Sequence, residues 1–187
     1  LYGENSLERI ECKRHALCDW RHELPCYSGA METRESPPLR RGWTTGACAT
    51  AAVRAGLCAL WGGEQLDEVQ ITLPKGETPV FKIAHREVTA EWVEIGITKD
   101  AGDDPDVTHG ALIIGRVARS SGGVNFHAGD GVGTITKAGL PIAVGEPAIN
   151  PVPRQMMQAQ VEDLALRFGQ PPNVDITIRI PGGKALA

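Results

Sequence analysis

The sequence predicts an α+β fold, a two-layer sandwich in which a mostly antiparallel or mixed sheet carries its helices on one face. Three observations lead there. Two stretches combine helical apolar spacing with clear start and stop signals, and five or more segments alternate apolar and polar residues with short turns between most of them. No glycine-rich dinucleotide fingerprint announces a regular βαβ winding; the nearest string, GDGVG at 129–133, has the wrong spacing and opens no helix. With 187 residues, 42% of them hydrophobic, the chain can bury a core of ordinary size and has the length of one domain with a tail.

The tail comes first. Residues 1–30 show neither helical nor alternating periodicity, and a polar TRESPP stretch follows Met31, which offers a start site. Residues 1–38 are therefore expected to be an extension or disordered tail ahead of a domain spanning 39–187. Cys12, His15, Cys18, His22 and Cys26 have the residue types of a zinc site but not its paired C-x2-C spacing, and no metal is expected.

From Leu39 the chain is patterned. Thr44 or Thr45 can cap a helix through ACATAAVRAGLCALW, which Gly62 and Gly63 stop. Val53, Leu57, Leu60 and Trp61 form an apolar stripe expected to face the core. The neighbouring face, Ala47, Cys48, Ala51, Ala52, Ala55 and Ala59, is small enough for a backbone or a ligand to come close. Strands are predicted in EVQITLP (Val69, Ile71, Leu73 on one side), PVFKIAH (Phe81, Ile83, His85), VEIGITK (Val93, Ile95, Ile97) and ALIIGRVAR. Residues 120–150 are broken by glycine and proline into short extended pieces. Asn150 then caps a second helix, with Pro151 at its first position; Met157, Val161, Leu164 and Phe168 make its buried stripe, and Gly169 and Pro171 end it. NVDITIRIP closes the pattern, alternating Val174, Ile176, Ile178 and Ile180 with polar residues.

Composition removes several classes of function. Nineteen basic against twenty-three acidic residues leave a net charge of −4, so no general basic surface exists to release counterions from nucleic acid. No apolar run approaches the roughly 20 residues of a membrane helix, and the N-terminus lacks the order of a signal peptide. A cytoplasmic protein with reduced cysteines is expected, in which any anionic ligand is held by local groups.

Three stretches can carry chemistry. GWTTGACAT, at 42–50, places two hydroxyls, a glycine and several N–H groups at a helix N-terminus, which is either an anion site or an ordinary threonine cap. Cys48 in its first turn has no histidine near it in sequence and reads as a packing residue. KDAGDDPDVTHG, at 99–110, crowds Asp100, Asp103, Asp104, Asp106 and His109 together, but lacks the glycine and distal glutamate of a calcium loop. Turn chemistry explains aspartates, Pro105 and two glycines there; the density of like charge points instead to a site. GEPAIN, at 145–150, is a stiff turn before a helix, suited to presenting donors or simply to folding. Arg40, Arg41, Lys99, Arg116, Lys137 and Arg154 lie at or beside these segment ends, where they read as carboxylate grips or as solvated surface cations.

Taken together, LRRGWTTGACATAA, ITKDAGDDPDVTHGA and GDGVGTITKAGLPIAVGEPAINPVPRQMM resemble the CbiD family, from Leu39 to about Pro181 in unbroken order. That family comprises the cobalt-precorrin-5B C1-methyltransferases of anaerobic cobalamin (vitamin B12) biosynthesis. The resemblance implies S-adenosyl-L-methionine as methyl donor and cobalt-precorrin-5B, a corrinoid rich in acetate and propionate side chains, as substrate. For such a substrate, Arg41, Thr44, Thr45, Gly46, Lys99, Glu146, Asn150 and Arg154 are expected to hold the macrocycle, and Asp103, Asp104 and His109 to bias charge or take a proton; these roles are read from the residues and not carried over from the family. Because the loop's carboxylates would repel a polycarboxylate, they are expected near the ring edge or the cationic donor. Family members are longer, with a glycine-rich second half that suits the donor, so this chain is expected to be the substrate-side half, either as a fragment or partial gene or as half of a split enzyme with a separate C-terminal half as a partner. The rival reading is a non-catalytic anion- or metal-binding module.

Overall fold

The computed structural model describes residues 39–183 apart from 138 and 140; the expected tail and its cysteine–histidine cluster lie outside the described residues. Helix α1 (Thr45–Gly62) starts where Thr44, in extended backbone, accepts the Ala47 N–H on its Oγ1 at 3.2 Å. It ends at Gly63, whose left-handed backbone (φ 66°) brings its N–H onto the Ala59 carbonyl.

The small-residue face of α1 goes deepest. Ala47, Cys48, Ala51, Ala52 and Ala55 are buried with Val53 and Leu57, whereas Leu60 and Trp61 of the expected stripe are only half-buried. The cause is a close approach of the sheet: a Cβ added to Gly115 would lie 3.2 Å from both the Ala52 Cβ and the Val53 nitrogen. Small residues face a glycine because the backbones nearly touch.

Strands β1 (Glu68–Gln70) and β2 (Val80–Lys82) form a small antiparallel pair. A five-stranded sheet contains β3 (His85–Val88), β4 (Trp92–Thr98), β5 (Leu112–Arg119), β6 (Val124–Ala128) and β7 (Val174–Arg179) in the order β3-β4-β5-β7-β6. PVFKIAH, expected as one strand, is shared between the two sheets. The Ile83 N–H bonds to Asp67 in the small sheet, and the next N–H, of Ala84, bonds to Gly96 in the large one.

All pairs are antiparallel except β6–β7, which is parallel and joined through helix α2 (Pro151–Phe168). The sheet is thus mixed and mostly antiparallel, as expected, with one βαβ crossover in place of a regular winding. Glycine and proline through residues 120–150 obscured β6 and hence the crossover.

Helix α2 runs parallel to α1. A Cβ on Gly46 would meet Pro153 at 2.5 Å and one on Gly62 would meet Phe168 at 2.4 Å, while Arg54 in between reaches Asp163 at 3.1 Å. Met157, Val161 and Leu164 are fully buried against this side of the molecule. Since the helices point the same way, both N-termini open at one end of the sheet, the end where β4 finishes and β5 begins. The opposite sheet face is polar: Glu94, 3% exposed, accepts from Arg179 at 2.6 Å, and Arg116 stacks on Trp92 at 3.8 Å.

Candidate functional site

At that end, residues 40–43 and 100–103 run side by side. The Trp43 N–H bonds to the Asp100 carbonyl at 2.8 Å, the Asp103 N–H to the Arg40 carbonyl at 3.0 Å, and the Arg40 N–H to the Asp103 carboxylate at 2.6 Å. Only glycine allows this approach, since a Cβ on Gly42 would fall 1.8 Å from the Ala101 carbonyl carbon. Gly102 also has a left-handed backbone (φ 65°). The acidic loop is therefore stitched to the segment that starts α1.

Its charge is largely compensated from within. Arg40 grips Asp100 through both terminal nitrogens, the longer contact 2.9 Å, and this pair, with the Gly102 N–H, lowers the Asp100 carboxyl to about 2. Asp106 accepts from Lys99 and from both the hydroxyl and the N–H of Thr108, which hold it well below the usual carboxylate range. Lys99, expected to grip substrate, is 2% exposed, with its ammonium engaged by Asp106 and Thr108; it braces the loop from inside. Asp103 and Asp104 are exposed. His109 accepts the Ala101 N–H on Nδ1 at 3.1 Å, which fixes the ring and leaves Nε2 as its outward nitrogen.

The second wall comes from residues 129–154. The Ile135 N–H bonds to the Glu146 carbonyl at 2.9 Å, and Thr134 bridges to Pro147. Arg154 corrects the expectation that it binds substrate. Its Nε bonds to the Ile149 carbonyl at 3.0 Å, one terminal nitrogen to the Pro147 carbonyl at 2.8 Å and the other to Glu146 at 3.1 Å, so both Arg154 and Glu146 clamp the turn before α2. Asn150 occupies the N-cap position, but its side chain makes no capping bond and is exposed at a cavity mouth.

Of the cavities in this region, two adjoin the start of α1. A groove of about 590 Å³ is lined by Leu39, Arg40, Arg41, Trp43, Asp103 and Asp104, among others. A smaller one of about 230 Å³ lies between the helix starts, with Thr45, Gly46, Gly131, Gly133, Asn150 and Pro153 in its wall. Arg41 pairs with Glu77 and stands 5.7 Å over the Trp43 ring. Exposed apolar side chains, Val107 in the acidic loop and Val152 in the first turn of α2, add non-polar surface at this end. The N–H groups of Thr45 and Gly46 precede the first intrahelical bond, which Cys48 makes to Thr44, and among the described residues they have no acceptor.

Thus Arg41, Thr44, Thr45, Gly46, Asp103, Asp104, His109 and Asn150 stand at this end of the sheet, while Lys99, Glu146 and Arg154 support it. Sequence reasoning named Arg40, Asp100 and Asp106 as candidates but gave them no role in the site, and it passed over Thr108. The signal for them was a lone lysine at the end of an apolar strand, directly before a run of acids that must find counter-charges. Cys48 is buried, and burial pushes its thiol up to about 11, as suits a packing residue. Among the described residues, His85, Glu87 and Glu94 also approach one another, but on the far sheet face, where Arg179 already occupies Glu94.

Segments 39–52, 97–111 and 129–157 therefore meet at one end of one sheet. The CbiD family model matches residues 32–187. This chain belongs to the CbiD family. Among its relatives, the cobalt-precorrin-5B C(1)-methyltransferase of Burkholderia cenocepacia is 56% identical over 158 residues, covering 83% of this chain and 44% of that protein. The protein of the same name from Brucella anthropi is 54% identical over 158 residues, covering 83% of this chain and 43% of that one. The crystal structure of the cobalamin biosynthesis protein CbiD from Archaeoglobus fulgidus superposes with a TM-score of 0.59 at 26% identity, over 79% of this chain and 46% of that one. The CbiD chain described here thus spans less than half the length of the curated relatives it matches.

Proposed function

We propose that this chain is the substrate-side half of a cobalt-precorrin-5B C1-methyltransferase, forming cobalt-precorrin-6A in cobalamin biosynthesis. The observation that carries the reading is the convergence of the three family segments on one end of the sheet, beside a groove with arginines at its mouth and apolar surface around it. A flat macrocycle fringed with carboxylates needs that combination: apolar contact for the ring, guanidinium and free N–H groups for the acids.

S-adenosyl-L-methionine supplies the methyl group in this reading, and neither cavity beside the start of α1 suits it. The 230 Å³ cavity falls below the roughly 300 Å³ at which ligand-enclosing pockets begin, and the larger groove presents arginines, which suit carboxylates rather than a sulfonium. The donor is assigned to the additional sequence that the relatives possess, on a C-terminal partner half.

Within this chain, Arg41 and the Thr45 and Gly46 N–H groups bind substrate carboxylates, and Thr44 and Asn150 complete the rim. Asp103 and Asp104 place negative charge at the ring edge. His109, which accepts the Ala101 N–H on Nδ1, carries its own proton on Nε2 and so presents a hydrogen-bond donor that biases charge at the ring edge, while a proton leaving the macrocycle is taken by Asp103 or Asp104. Among the described residues no helix is long and apolar enough to cross a membrane. A cytoplasmic reaction is part of the proposal.

The test is reconstitution. The chain is fused to the C-terminal portion of the Burkholderia cenocepacia relative and incubated with cobalt-precorrin-5B and methyl-labelled S-adenosyl-L-methionine. Label in the corrinoid from the fusion, with none from either half alone, is the expected result. An inactive fusion that folds and binds neither ligand contradicts the reading.

A further inference from the structure

The small β1–β2 sheet holds none of the residues assigned to the site above, yet it contacts the groove residues Arg41 and Trp43. Between its strands the chain turns tightly: the Gly76 N–H bonds to the Leu73 carbonyl and the Leu73 N–H to the Glu77 carbonyl, both at 2.8 Å, with Gly76 in a left-handed backbone (φ 89°). Glu77, at the end of this turn, forms an ion pair with Arg41. On β2 the buried Phe81 meets the Trp43 ring edge-on, with the centroids 6.1 Å apart.

Two arginines line the groove, and they are not held alike. Arg40 grips Asp100 through both terminal nitrogens, and its own backbone N–H is tied to Asp103. Arg41 has one ionic partner among the described residues, Glu77, met by a single terminal nitrogen, and its side chain is 60% exposed. A two-pronged guanidinium–carboxylate contact is strong and directional, whereas a single exposed ion pair contributes little and exchanges readily. Of the two, Arg41 is therefore the one that can change partners.

A carboxylate arriving at Arg41 is attracted by the guanidinium and repelled by the Glu77 carboxylate in contact with it. If it takes two guanidinium nitrogens, it replaces a contact that uses one, and the exchange favours the ligand. We infer that Glu77 is a specificity-determining residue, the exchangeable counter-charge of Arg41 that a ligand carboxylate displaces on entering the groove. A ligand whose only hold is Arg41 then binds weakly, and one with further carboxylates for the Thr45 and Gly46 N–H groups binds well. The inference concerns the exchange at Arg41; that the carboxylate belongs to cobalt-precorrin-5B rests on the function proposed above.

The test has a binding arm on the 187-residue chain and a kinetic arm on the fused enzyme. Acetate is the probe in the first, titrated while the Arg41 Nε–H and Trp43 indole N–H resonances are followed by NMR. Glu77→Gln should bind acetate about two- to fivefold more tightly, the span that one exposed ion pair is worth. In an Arg41→Gln background the same substitution should change nothing, because the effect runs through that one contact. Equal or weaker binding in Glu77→Gln, a gain that persists without Arg41, or no shift at Arg41 in either chain overturns the inference, whether or not the fusion methylates. In an active fusion, Glu77→Gln should raise kcat/KM for cobalt-precorrin-5B by the same factor through a lower KM. A fall in kcat/KM would also overturn it, since Glu77 would then hold Arg41 in place for the substrate and not compete with it.

Discussion

Arg40 and Asp100 set the acid behaviour of the loop. The guanidinium lowers the Asp100 carboxyl to about 2, from an ordinary value of 3.8, so the native state holds this proton less readily than the unfolded chain. Its contribution to stability is complete above the ordinary value and is lost as pH falls toward 2; Asp106, shifted in the same direction by Lys99 and Thr108, behaves alike. Amide exchange at Gly102, which bonds to Asp100 at 2.9 Å, should therefore accelerate on acidification through this window. In Arg40→Gln the acceleration should begin at higher pH. His109 gives a second prediction. His109→Asn keeps an acceptor for the Ala101 N–H but removes the Nε2 N–H, so the melting temperature should hold while methyl transfer by the fused enzyme falls about tenfold, the worth of one hydrogen bond. Unchanged turnover would remove His109 from the chemistry. At this scale sequence was a partial guide: it marked the acidic loop and the TTG turn, yet read Lys99 and Arg154 as substrate grips. A side chain's partner is fixed by tertiary contact, and these two cations found theirs on Asp106 and on the carbonyls of Pro147 and Ile149.

Among the elements, α1 and α2 were readable almost to the residue because their ends are chemical: Thr44 caps one, Pro151 begins the other, and Gly63 and Gly169 stop them. The strands were less so. β6 lies among glycines and prolines, and the β2–β3 boundary depends on which sheet each N–H finds, which periodicity along one chain does not encode. The small face of α1 was visible, but its partner, Gly115 on β5, was not. Glycines at these approaches yield a direct prediction. Gly42→Ala drives a Cβ into the Ala101 backbone, and such overpacking costs about 1–3 kcal/mol; a lowered melting temperature should be accompanied by faster amide exchange at Trp43 and Asp103, the two N–H groups that stitch the segments. Leu164→Ala, in the buried stripe of α2, opens a cavity instead and should cost about 2–5 kcal/mol in chemical denaturation, with exchange at Trp43 and Asp103 slow as before.

Across the whole molecule, the parallel helices and the single crossover bring three distant segments to one end of the sheet, and the polar far face leaves that end as the place where groove, cations and apolar rim coincide. The family was legible from those segments alone, since they are long and in order. Their convergence was not, because it depends on the β6–α2–β7 crossover that the broken middle of the sequence hides. The proposed division of labour, substrate on this half and donor on the remainder, draws its support from the groove beside α1 and from relatives more than twice the matched length. The most direct measurement is a binding titration of cobalt-precorrin-5B to the 187-residue chain, followed by the corrinoid's visible absorbance, beside the same titration with S-adenosyl-L-methionine followed by heat. Saturable binding of the corrinoid, weakened at least tenfold by Arg41→Ala and Thr45→Val together, with no heat from the donor, is what this account predicts. Tight binding of S-adenosyl-L-methionine by this chain, with no affinity for the corrinoid, would contradict it.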